Sequence, residues 1–114
     1  MRDLHDLRIT GLHLNESSDT LTVSLTDPEG QPSADLILMN IVDLYVDGFS
    51  LQNIIVDACV FHEKNTSFEY QRACQLLDID SAIDSDFADS KTMILIQASA
   101  GAEIACLASG RIAI

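Results

Sequence analysis

The sequence predicts an α+β domain, predominantly antiparallel β, with about six strands in a sheet or sandwich-like arrangement and one short helix. Three observations carry that expectation. Residues 20–26, Thr-Leu-Thr-Val-Ser-Leu-Thr, alternate hydroxyl and apolar side chains with a period of two, as a half-buried strand does. Residues 35–47 are apolar at both parities, as a strand covered on two faces is. Short turn-forming clusters separate these runs, and a helix-favouring stretch occurs once, before the terminal hairpin. With 114 residues, 47% of them apolar, the chain supports one core without metal or disulfide staples, and residues 1–114 read as a single domain.

The first element is a hairpin over residues 4–26. Leu7 and Ile9 set one phase and Leu12 and Leu14 the other, so a β-bulge at Thr10-Gly11 returns both pairs to one face. Asn15-Glu16-Ser17-Ser18-Asp19 supplies its turn. Asp27-Pro28-Glu29-Gly30-Gln31-Pro32 is the next break and holds both prolines of the chain. Residues 35–47 then form one long strand, with Leu36, Leu38, Val42, Leu44 and Val46 on one face and Ile37, Met39, Ile41 and Tyr45 on the other. Residues 50–62 fit two periods. Leu51, Ile54, Ile55, Ala58 and Cys59 have helical spacing, whereas Ile54, Ile55, Val56, Val60 and Phe61 are β-favouring types, and strand is the preferred reading. Residues 66–77 hold the helix, with Ala73, Leu76 and Leu77 on one side. After an acidic loop at 78–89, residues 92–97 open a terminal hairpin that turns at Ser99-Ala100-Gly101-Ala102. Its return strand directs Ile104, Cys106, Ala108, Ile112 and Ile114 one way and Glu103, Ser109 and Arg111 the other.

Eighteen acidic residues against six basic ones give a net charge of −12. Arg2, Arg8, Lys64, Arg72, Lys91 and Arg111 are scattered, and the basic stripe that neutralises phosphates is missing, which excludes nucleic acid as a partner. No run approaches the roughly 20 apolar residues of a membrane span, and an acidic field repels anionic lipid. The opening Met1-Arg2-Asp3-Leu4-His5-Asp6 is no secretory signal. Cys59, Cys74 and Cys106 form an odd set without C-x-x-C spacing, which points to reduced thiols in the cytoplasm.

No motif identifies a reaction. Asp78, Asp80, Asp84, Asp86 and Asp89 place five carboxylates in twelve residues, yet Ala82 and Ile83 occupy positions where a calcium-binding loop needs an oxygen ligand and a glycine. His5, His13 and His62 lack metal-ligand spacing. Gly11, Gly30, Gly48, Gly101 and Gly110 are isolated, so no phosphate cradle exists, and no nucleophile elbow occurs. No catalytic residue, metal site or cofactor is expected. Asp57, His62 and Glu63 make the one local cluster of titratable groups, and on a strand Asp57 and His62 face opposite sides.

Three stretches in order, His5-Asp6-Leu7-Arg8-Ile9, Asp47-Gly48-Phe49-Ser50-Leu51-Gln52-Asn53-Ile54-Ile55-Val56-Asp57 and Ala98-Ser99-Ala100-Gly101-Ala102-Glu103-Ile104, resemble a group of small bacterial β-rich domains. Some of that group resemble immunity proteins, which neutralise a toxin delivered by neighbouring cells. The resemblance implies strand at residues 53–61 and transfers no catalytic or binding residue.

The expected function is therefore a non-enzymatic binding module, an immunity protein that neutralises a basic toxin by surface blockade. The docking carboxylates are Asp78, Asp80, Asp84, Asp86 and Asp89, or else Asp43, Asp47 and Asp57. Two alternatives stand beside it. One is a structural subunit or homodimer that pairs through exposed edges at 94–96 and 104–107, where no Lys or Pro discourages pairing. The other is a small ligand-binding domain using the cluster around Asp57.

Overall fold

Alternation in the Thr-rich segment is realised as an inner strand of the first of two antiparallel sheets. The computed structural model describes residues 4–62, 66–78, 91–99, 101–109 and 112–113. Chain order is β1 (Arg8–Asn15), β2 (Thr20–Thr26), β3 (Pro32–Leu38), β4 (Ile41–Asp47), β5 (Ile55–Phe61), α1 (Phe68–Leu76), β6 (Thr92–Ala98), β7 (Glu103–Ala108) and β8 (Ile112–Ala113). One sheet has the order β1-β2-β3-β8 and the other β4-β7-β6-β5. The α+β class, rich in antiparallel β with one short helix, is what the sequence predicts.

The hairpin bulge falls between Ile9 and Gly11, as the phase switch requires. The strand starts at Arg8 rather than at residue 4, because Asp6 is left-handed (φ 70) and Leu7 N–H bonds Leu4 O at 3.1 Å, closing a turn. Asp27 Oδ1 accepts the N–H groups of Glu29 and Gln31 at 3.0 and 2.9 Å and shapes the turn into β3. Residues 55–61 are a strand, which settles the two-period segment in favour of its β-branched content.

Two predicted strands are each two. Residues 35–47 break at Asn40, whose left-handed backbone (φ 53) turns the chain out of the first sheet and into the second. Leu36 and Leu38 bury their face before this corner. Beyond it, a bulge between Ile41 and Asp43 resets the phase, so that Ile41 and Leu44 pack on the core while Tyr45 faces the other way. The return strand of the terminal hairpin likewise divides into β7 and β8, on different sheets. Ser109 fastens the two corners together, its N–H and Oγ donating to Asn40 O at 2.9 and 3.3 Å.

The main core lies between the sheets, where Val23, Leu36 and Leu38 of the first meet Ile55, Ile96 and Ile104 of the second. Along one side the sheets are joined by backbone bonds, Ile55 N–H to Leu7 O at 2.8 Å and Ile9 N–H to Asn53 O at 2.9 Å. Helix α1 covers the outer face of the second sheet. Ser67 caps it, its Oγ accepting Tyr70 N–H at 3.1 Å. Tyr70, Ala73, Cys74 and Leu77 bury a second cluster against Met93, Leu95, Ala105 and Leu107, and the Phe61 and Tyr70 rings meet edge to face at 5.4 Å.

This three-layer arrangement explains the apolar runs at 92–97 and 104–108. Strands β6 and β7 are the inner pair of their sheet, buried on both faces. Segments 94–96 and 104–107 are therefore fully paired, and the outer strands of this sheet are β4 and β5.

Candidate functional site

Cross-strand register assembles a polar row on the helix-bearing face of the second sheet. Asp47 pairs with Glu103, Glu103 with Gln97, and Gln97 with Asp57, so four polar side chains cross four strands at the end of the sheet beside the β6–β7 turn. The next row, Tyr45, Ala105, Leu95 and Cys59, begins the surface that α1 packs on.

Helix and row meet at one ion pair. Arg72 Nη2 and Nε donate to the two Glu103 carboxylate oxygens at 2.8 and 3.1 Å, and Gln97 Nε2 adds a bond of 3.1 Å. The guanidinium holds the Glu103 carboxyl below its ordinary value, and the carboxylate in turn raises Arg72. At the β4 margin, Tyr45 OH donates to Asp47 Oδ2 at 3.1 Å, and partial burial together with this carboxylate raises the phenol. At the β5 margin, Cys59 Sγ donates to Asp57 Oδ2 at 3.4 Å, and burial followed by that carboxylate pushes the thiol up to about 11. Cys106, buried in the core, is pushed up to about 12, chiefly by desolvation. Neither of these thiols is activated as a nucleophile, which requires a lowered value.

Asp43 and Asp47 also engage their own backbone. Asp43 Oδ1 accepts Leu44 N–H at 2.9 Å, and Asp47 Oδ1 accepts Gly48 N–H at 2.8 Å.

The predicted carboxylates divide sharply. Asp78 follows α1, exposed and left-handed (φ 56), with its N–H on Gln75 O at 3.2 Å. Asp80, Asp84, Asp86 and Asp89 lie outside the described residues. Asp43, Asp47 and Asp57 share one face, the first two on β4 and the third across the sheet on β5. Of the Asp57, His62, Glu63 cluster, Asp57 holds Cys59 and His62 Nδ1 lies 3.4 Å from Thr92 Oγ1, and Glu63 lies outside the described residues.

Sequence reasoning missed Tyr45, Arg72, Gln97 and Glu103. Gln97 and Glu103 lie equally far from position 100 at the centre of the hairpin, which is a readable signal for a cross-strand pair. Arg72 reaches Glu103 across 31 positions and gave none. Among the described residues no three His, Cys, Asp or Glu side chains converge to hold a metal ion, and no helix is long and apolar enough to cross a membrane. No family model matches the chain, and no curated protein or solved structure matches it.

Proposed function

We propose that this protein is a non-enzymatic binding module that engages a basic protein, acting in the bacterial cytoplasm as an immunity protein that blocks a toxin by covering its surface. The observation that supports this most is the placement of Asp43, Asp47 and Asp57 with Glu103 on one face of a chain of net charge −12. A toxin nuclease grips phosphate with Lys and Arg, so opposite fields accelerate encounter and select the partner. The 78–89 carboxylates contribute five of the acidic charges in that total.

The test is retention of a partner on the immobilised protein, eluted in rising salt and assayed for nuclease activity with and without added protein. A basic protein bound in equal ratio, inhibited on binding and released by salt is the expected result. Replacing Asp78, Asp80, Asp84, Asp86 and Asp89 by Asn, and separately Asp43, Asp47 and Asp57, assigns the surface. A partner whose affinity and salt dependence survive both sets overturns charge-driven docking.

A further inference from the structure

We infer that β4 is a guarded docking edge that admits a basic extended segment of the partner as a further strand of the second sheet; this rests on the functional reading above and specifies its partner. Strand β4 is an outer strand of its sheet. In the β6–β7 hairpin Ala98 N–H bonds Ala102 O, which sets the alternation of the ladder. Even-numbered β7 residues bond β6, and Glu103, Ala105 and Leu107 bond Asp47, Tyr45 and Asp43. The backbone groups of Leu44 and Val46 therefore point away from the sheet, and the Gly48 N–H meets Asp47 Oδ1.

That edge is also apolar. Val42 is 54% exposed, Phe49 47% and Leu51 104%, all on β4 or in the loop that follows it. A row of outward backbone groups beside exposed apolar side chains is a template for strand addition. Charge decides which strand fits. Antiparallel pairing with a second copy would align the Asp43 and Asp47 carboxylates of both chains along one seam, in a chain that already carries −12. A segment with Lys or Arg at alternate positions instead meets both aspartates on one face. Its cations draw the carboxylates off the Leu44 and Gly48 amides, which are then free to donate to its carbonyls. The two side chains thus close the edge to neutral and acidic strands and open it to a basic one.

The probes are a soluble peptide alternating Lys with Thr and a control of equal charge with Pro in place of Thr, which cannot pair as a strand. The alternating peptide is expected to shift and protect the Leu44, Val46 and Gly48 amides in NMR hydrogen exchange, and the control to leave them unprotected. Val46→Pro removes an outward N–H and no bond to β7, so the ladder persists while affinity for the alternating peptide falls about tenfold or more. Asp43→Asn with Asp47→Asn keeps the amide caps through the carbonyl oxygens and removes the charge, lowering affinity about fivefold with a shallower salt dependence. Equal affinity for both peptides, indifference to Val46→Pro, or no binding of either peptide overturns the proposal. Such a failure leaves the functional reading to be decided by partner retention, which does not depend on how β4 is used.

Discussion

Asn53 is the buried polar residue on which three segments converge. It is 1% exposed and makes four hydrogen bonds: its Oδ1 accepts Ser50 N–H and Ala102 N–H, and its Nδ2 donates to Ser50 O and Ile9 O. One amide thereby ties the loop before β5, the β6–β7 turn and β1. Two glycines make room for it. A Cβ at Gly101 (φ 123) would overlap Asn53 Oδ1, and one at Gly48 (φ 73) would lie 2.6 Å from Gly101 O. Asn53→Ala strands the Ala102 N–H in the interior and is expected to lower unfolding free energy by about 3 kcal/mol in urea. A loss under about 1 kcal/mol would show that water replaces the side chain. Glu103 makes a pH-dependent contribution. Arg72 lowers its folded titration below the unfolded range, near about 4.3, so the stabilisation is present above that range and lost as pH falls through the folded value. Glu103→Gln should therefore lower the urea midpoint at neutral pH and match the parent at about pH 2. A difference that persists in acid would assign the effect to shape rather than charge.

Asn40 shows at the scale of elements what could and could not be read from the sequence. Period-two alternation located β1, β2 and their bulge, β-branched content placed β5, and helix-favouring composition with one apolar side placed α1, because each depends on neighbours in the chain. The break at Asn40 is invisible to alternation, since Leu36 and Leu38 before it and Ile41 and Leu44 after it all face the same core from different sheets. A long two-faced strand and two strands joined at a corner have the same hydrophobic pattern. The inner position of β6 and β7 was hidden for a related reason, as an unbroken apolar run does not say whether its backbone edge is paired. The same limit applies to the site. Asp43 and Asp47 share parity on β4, but their union with Asp57 depends on the order β4-β7-β6-β5, which is long-range. The corner itself is testable. Asn40→Gly should stay within about 0.5 kcal/mol of the parent, whereas Asn40→Val, β-branched at φ 53, should lose about 1–2 kcal/mol. Equal stability of the two would mean that the sheets are joined without a left-handed corner.

Across the whole molecule, electrostatic terms of opposite sign compete. The Arg72–Glu103 pair is partly exposed, with side chains 38% and 21% accessible, and added salt weakens such an attraction. Eighteen acidic residues against six basic ones repel one another in the folded chain, and added salt relieves that repulsion. The Debye length shrinks from about 30 Å at 0.01 M to about 3 Å at 1 M ionic strength, compared with a radius of gyration of 13.5 Å. Screening in that interval therefore removes mostly repulsion between separated carboxylates and only part of one close contact. The melting temperature should rise with sodium chloride, by about 5 °C if roughly 1 kcal/mol of repulsion is relieved. Arg72→Gln removes the pair and one positive charge, so its melting temperature should start lower and climb more steeply with salt. A parent whose melting temperature falls as salt is added would place the balance on the ion pair. The acidic face would then contribute no self-repulsion for a basic partner to relieve on docking.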